Sequence, residues 1–167
     1  MKAIINLFWQ ICLLRQSPAH VPASGPFVAL VVGANLLCSV LVSVGLDEDL
    51  DVLRTATSII VGQTATAALV LLALTLKNLG ARFVTTVTAI FGCDLIITAC
   101  FAVMLPLASL WGSAVISIAL IAFLVWSVAV AGFILHRAME VQFAIGIGVA
   151  MAISLMSVTF GQLAIGA

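Results

Sequence analysis

The stretch Phe83–Leu107, FVTTVTAIFGCDLIITACFAVMLPL, holds a single charged residue, Asp94. Crossing about 30 Å of hydrocarbon as a helix takes roughly 20 mostly apolar residues, and this stretch has that length. Four more segments of the same kind flank it: Phe27–Leu46, Ala56–Leu79, Trp111–His136 and Val141–Ile165. They account for most of a 167-residue chain that is 65% hydrophobic and 7% charged, with a mean hydropathy of +1.39. A soluble domain carries about 25% charged residues, so water-soluble and disordered readings fall. Six basic residues balance six acidic ones, which leaves no basic field for nucleic acid. The fold class expected is an all-α polytopic membrane protein: five transmembrane helices (27–167) preceded by an N-terminal interfacial amphipathic helix.

The breaks between spans are short. Asp47-Glu48-Asp49-Leu50-Asp51 packs four carboxylates into five residues, Lys77–Arg82 is a polar turn whose Gly80 can take a positive φ, Pro106 is expected to end the third span, and His136-Arg137 with Glu140 separates the last two. Loops this short make neighbouring helices antiparallel. With five crossings, Lys2, Arg15, Lys77, Arg82 and Arg137 share one side and only Arg54 lies on the other. Basic residues favour the cytoplasmic side. The expectation is a bacterial cytoplasmic (inner) membrane protein with its N-terminus cytoplasmic and its C-terminus outward.

Residues 1–16 read differently. Ile4, Leu7, Phe8, Ile11, Cys12 and Leu14 share a broad apolar face, opposite Lys2, Asn6 and Gln10. This suits a helix lying in the membrane interface, with Lys2, Trp9 and Arg15 as anchors at headgroup depth. Residues 17–26, with Pro18, Pro22 and Pro26, form a Pro-rich connector into the first span.

Asp94 is the residue with most chemistry to explain. A carboxylate at mid-span costs about 2.5–3.5 kcal/mol on insertion scales and is expected to face the bundle interior. At 1.5 Å per residue, Asp94 lies roughly 16 Å into its helix and Asn35 roughly 12 Å into the first span. Thr98 follows Asp94 by one turn, Thr66 sits at similar depth in the second span, and Gln63 sits nearer the outer side. Asp94, Asn35, Thr66 and Thr98 form the candidate intramembrane polar site, either a proton or cation site or an internally satisfied polar contact. Cys12, Cys38, Cys93 and Cys100 form no C-x-x-C pair and read as small apolar fillers. His20 and His136 stand apart from other ligand types, so neither a metal nor a cofactor is expected. No G-x-S-x-G occurs, and no enzyme constellation is expected. Small residues recur within spans: Ser39 and Ser43, Thr64 and Ala68, and the run Gly146–Ala152. They let helix backbones approach, within this bundle or against another protein.

The layout resembles the Yip family, five-span membrane proteins whose eukaryotic members interact with Rab GTPases. The likeness rests on the short N-terminal segment ending in Arg15-Gln16-Ser17-Pro18, on tightly spaced hairpins, and on the Trp-containing fourth span, Phe123–Gly132, before an Ala/Gly-rich fifth. The nearer likeness is to short bacterial relatives. The resemblance implies a five-span fold and no catalytic residues. Scarcity of charge inside the spans and the small-residue helix faces favour a non-enzymatic scaffold or accessory subunit of a membrane complex, whose partners are the lipid bilayer and another membrane protein or further copies of itself. The alternative from another class is a small proton- or cation-coupled transporter or channel subunit that uses Asp94.

Overall fold

The computed structural model describes residues 2–18, 21, 22, 24–46, 51–109 and 113–166. Asp47–Leu50, His20 and Trp111, named above, lie outside the described residues. Among the described residues there are six α-helices: α1 (Lys2–Cys12), α2 (Gly25–Leu46), α3 (Val52–Leu76), α4 (Phe83–Ser109), α5 (Ser113–Met139) and α6 (Phe143–Ala164). Five of them, α2 to α6, are long and apolar enough to cross a bilayer, and no strand occurs among the described residues. The chain is an integral membrane protein.

Helix ends follow local chemistry. Asp51 caps α3, its carboxylate accepting from the Leu53 and Arg54 N–H groups at 3.0 and 3.4 Å. The α3–α4 turn differs from expectation: Asn78, not Gly80, takes the left-handed conformation, with φ of 57°. The Leu79 N–H donates to Leu74 O and the Asn78 N–H to Thr75 O, closing a Schellman turn, and Gly80–Arg82 add one turn of 3₁₀ helix. Asparagine tolerates this region better than other non-glycine residues. The third membrane-spanning stretch ends at Pro106, as expected, but the helix does not, because α4 runs on to Ser109. A proline near the C-terminal end of a helix removes one backbone bond without reversing the chain.

The spans form a ring in which α2 packs on α4, α4 on α5, α5 on α6, α6 on α3, and α3 back on α2. Consecutive helices α3 and α4 barely touch. Small residues set the closest approaches. A Cβ on Gly146 of α6 would stand 2.5 Å from Gly132 O of α5, and one on Gly161 of α6 would stand 3.0 Å from Ser58 O of α3. Gly148, in the same run, has nothing within 4 Å. Val70, Leu74, Val87, Phe91, Leu135 and Met139 belong to one buried cluster that fills the ring near the end bearing Lys77, Arg82 and Arg137. We call this the basic end.

Helix α1 ends at Cys12, shorter than the 1–16 segment read from the sequence. The Arg15 N–H donates to Gln10 O and the Leu14 N–H to Ile11 O, with Leu14 left-handed at φ 60°. The apolar face of α1 covers the seam between α4 and α5: Phe8, Ile11 and Cys12 are buried with Ala89, Cys93, Ile97, Val130 and Ile134. Phe8 occupies the notch left by Gly92, where an added Cβ would stand 2.3 Å from its ring. Cys12 Sγ donates to Cys93 O, Cys93 Sγ donates to Phe8 O, and Trp126 Nε1 donates to Cys12 O at 3.0 Å. Ile5, Trp9 and Leu13 stay exposed on the other edge.

Candidate intramembrane polar site

Asp94 stands near the middle of α4, and Asn35 lies opposite it on α2, fully buried at 0% exposure. Asn35 Nδ2 donates to Asp94 Oδ2 at 3.1 Å. The depth arithmetic that paired them reflects the parallel course of α2 and α4, which crosses one intervening helix in sequence. Asn35 Oδ1 is the one buried side-chain oxygen or nitrogen among the described residues with no partner. An amide carries both a donor and an acceptor. The donor here serves the carboxylate, and the open acceptor is matched to a carboxyl proton, a water or a cation.

On its other side Asp94 lines a partly open cavity of about 390 Å³ between α3, α4, α5 and α6. A volume of this order is that of a small-ligand pocket. Gln63, Thr66, Ser154 and Ser157 share the lining. Thr66 and Ser157 hydroxyls meet at 2.7 Å across the α3–α6 contact. Each hydroxyl also lies within hydrogen-bond distance of the carbonyl four residues back in its own helix, Gly62 O and Ile153 O, so the pair's two protons are shared among three contacts. With those protons committed, the two hydroxyls can offer a ligand oxygen lone pairs only. Gln63 and Ser154, by contrast, have no hydrogen-bond partner among the described residues.

The four residues picked from sequence therefore separate. Asp94 and Asn35 bond directly, and Thr66 shares the cavity without touching either. Thr98 is half-buried but does not line the cavity. Four residues advance 400°, so i+4 sits about 40° round from Asp94, while the lining follows Ile90, Asp94 and Ile97. Sequence reading missed Ser154 and Ser157 on α6. The signal was present: Gly146, Ala150, Ile153, Ser157 and Gly161, spaced by four and three, are the buried stripe of that helix. The small-residue run read from sequence takes in Gly146 and Ala150 of that stripe but stops at Ala152, before Ser154 and Ser157.

Other candidates fall elsewhere. All four cysteines are free. Cys12 and Cys93 sit at the α1–α4 contact, while Cys38 and Cys100 are half-buried. Of the proposed anchors, Trp9 stacks edge-on against Trp126 at 6.5 Å between ring centroids, Arg15 is exposed, and the side chain of Lys2 lies outside the described residues. Among the described residues no group of three or more His, Cys, Asp or Glu is arranged to hold a metal ion. No family model matches the chain, and neither does any curated protein or any solved structure.

Proposed function

We propose that this chain is a small carrier or channel component that handles a proton or small cation at Asp94. The observation that carries the reading is the opening of Asp94 onto the 390 Å³ cavity, with unpartnered Gln63 and Ser154 in the same lining. A path for polar solutes through lipid needs several lining polar groups, and an ionisable residue inside a span marks such a path by default. Asn35 acts as the positioning residue, holding one carboxylate oxygen while the other remains available. The test is flux: the purified chain in liposomes, with a proton- or cation-sensitive dye, compared with Asp94→Asn. Equal flux from both, or none above empty liposomes under any cation gradient, sinks the reading.

A second reading, the Yip-like scaffold or accessory subunit, is favoured by one observation. Thr64 and Ala68 lie one turn apart on α3 and are both exposed, a small-residue face of the kind on which helices dock in lipid. In this reading a second membrane protein, or another copy of the chain, covers that face. Mild extraction from the native membrane followed by mass spectrometry tests it. A stoichiometric partner lost on Ala68→Leu supports it, and a partner-free monomer removes it.

A further inference from the structure

A second, partly open cavity of about 620 Å³ lies at the basic end of the bundle. Three separate parts of the chain wall it: Ser17 of the connector, Arg82 and Thr85 where α4 begins, and His136, Arg137 and Glu140 where α5 ends. Two guanidinium groups face one carboxylate, and the two arginines are held differently. Arg82 is fixed by Glu140, with Nη2 2.7 Å from Oε1, and by a 3.3 Å bond from Nη1 to Ala138 O. Its remaining N–H groups have no partner among the described residues. Arg137 lies over the Phe133 ring, 5.5 Å from its centroid, and has no carboxylate partner among the described residues. His136 Nδ1 donates to Val141 O, which leaves Nε2 uncommitted. The Thr85 hydroxyl is likewise without a partner among the described residues. With Glu140 engaged by Arg82, the groups left over are mostly donors, and they carry positive charge.

We propose that this cavity takes the phosphodiester headgroup of an anionic lipid, with Arg137 and Arg82 on its phosphate oxygens and Thr85 as a hydroxyl donor. Guanidinium forks match phosphate oxygens in geometry as well as charge. The cavity sits where spans end and basic residues collect, which is headgroup depth. Basic pockets between transmembrane helices at that level bind anionic headgroups. The volume is also far larger than a bare phosphate needs, and it leaves room for the glycerol that a lipid brings. The shared chemistry is a phosphate oxyanion, and a soluble phosphate is the other possible source.

The test uses the full chain in detergent with equimolar phosphatidylglycerol and phosphatidylcholine, read by native mass spectrometry. Phosphatidylglycerol is expected to be retained preferentially. Arg137→Gln is expected to weaken that retention about five-fold, the worth of one basic side chain near an anionic surface. Thr85→Val, which leaves every charge in place, is expected to weaken it less. Lys77→Gln, at the same end but outside the cavity lining, is expected to leave it unchanged. Equal retention of the two lipids, or equal loss with Arg137→Gln and Lys77→Gln, overturns the site. Displacement of the lipid by millimolar inorganic phosphate, with a matching rise in Tm, assigns the cavity to a soluble phosphate and overturns the lipid. None of these readouts depends on Asp94.

Discussion

Asn35 and Asp94, 59 residues apart in the chain, are joined by one 3.1 Å bond from Nδ2 to Oδ2, while the same amide leaves Oδ1 buried and unpartnered. The pair is thus half satisfied, with the amide's donor engaged and its acceptor open. Asn35→Ala removes the interhelical bond, which is worth about 0.6–1.7 kcal/mol in a membrane. The expected result is a lower Tm together with reduced flux. A variant as stable and as active as the parent removes Asn35 from the site.

The closest helix approach gives a paired prediction on one helix. Gly146→Ala places a methyl 2.5 Å from a backbone oxygen of α5, whereas Gly148→Ala meets nothing within 4 Å. Backbone cannot swing aside, so Gly146→Ala is expected to cost about 1–3 kcal/mol. Gly148→Ala is expected to be neutral or to gain up to about 1 kcal/mol from helix propensity. Equilibrium unfolding in mixed micelles compares them, and equal effects contradict the α5–α6 packing.

Docking of α1 can be read through its thiols. Cys12 is 1% exposed and Cys93 1% exposed, each bonded to the other helix's backbone. Both should resist maleimide labelling until the protein is unfolded. Gly92→Ala drives a methyl into the Phe8 ring and is expected to raise Cys12 labelling severalfold while α2–α6 stay assembled. Fast labelling of Cys12 in the parent contradicts the docked position.

Leu14 and Asn78 make similar turns with different residues, at φ 60° and 57°. A leucine in the left-handed region costs about 1–2 kcal/mol relative to glycine. Leu14→Gly is therefore expected to raise the threshold for releasing α1, measured by limited proteolysis. Leu14→Val, β-branched and less tolerant of that region, should lower it.

Orientation has its own test. The bias of basic residues to one end predicts that a reporter fused after Ala167 is active outside the cytoplasm, and activity only in the cytoplasm reverses the assignment.

Some of this was readable in one dimension. Membrane insertion depends on local composition summed along about 20 residues, so the five spans could be counted from sequence, with helix ends within a few residues of those observed. The Asp94–Asn35 pairing was readable too, because rise per residue converts position into depth. Depth says nothing of rotation or of neighbours, so Thr98 appeared to belong with Asp94 and Ser157 was overlooked. Helix ends set by long-range or turn chemistry were also harder to read. Pro106 lies within α4, and Asn78 rather than Gly80 makes the turn.

By itself, then, the sequence determined that this is a five-span helical membrane protein with one carboxylate at mid-depth, since the lipid's demand for apolar surface and satisfied backbone acts on each segment separately. Only the tertiary structure decided the ring order α2–α4–α5–α6–α3 and the cavity inside it. Only it turned α1 onto the α4–α5 seam. Those outcomes depend on which small side chains let which backbones meet, as at Gly132–Gly146 and Ser58–Gly161. Such fits are properties of pairs of surfaces, and no single segment contains them.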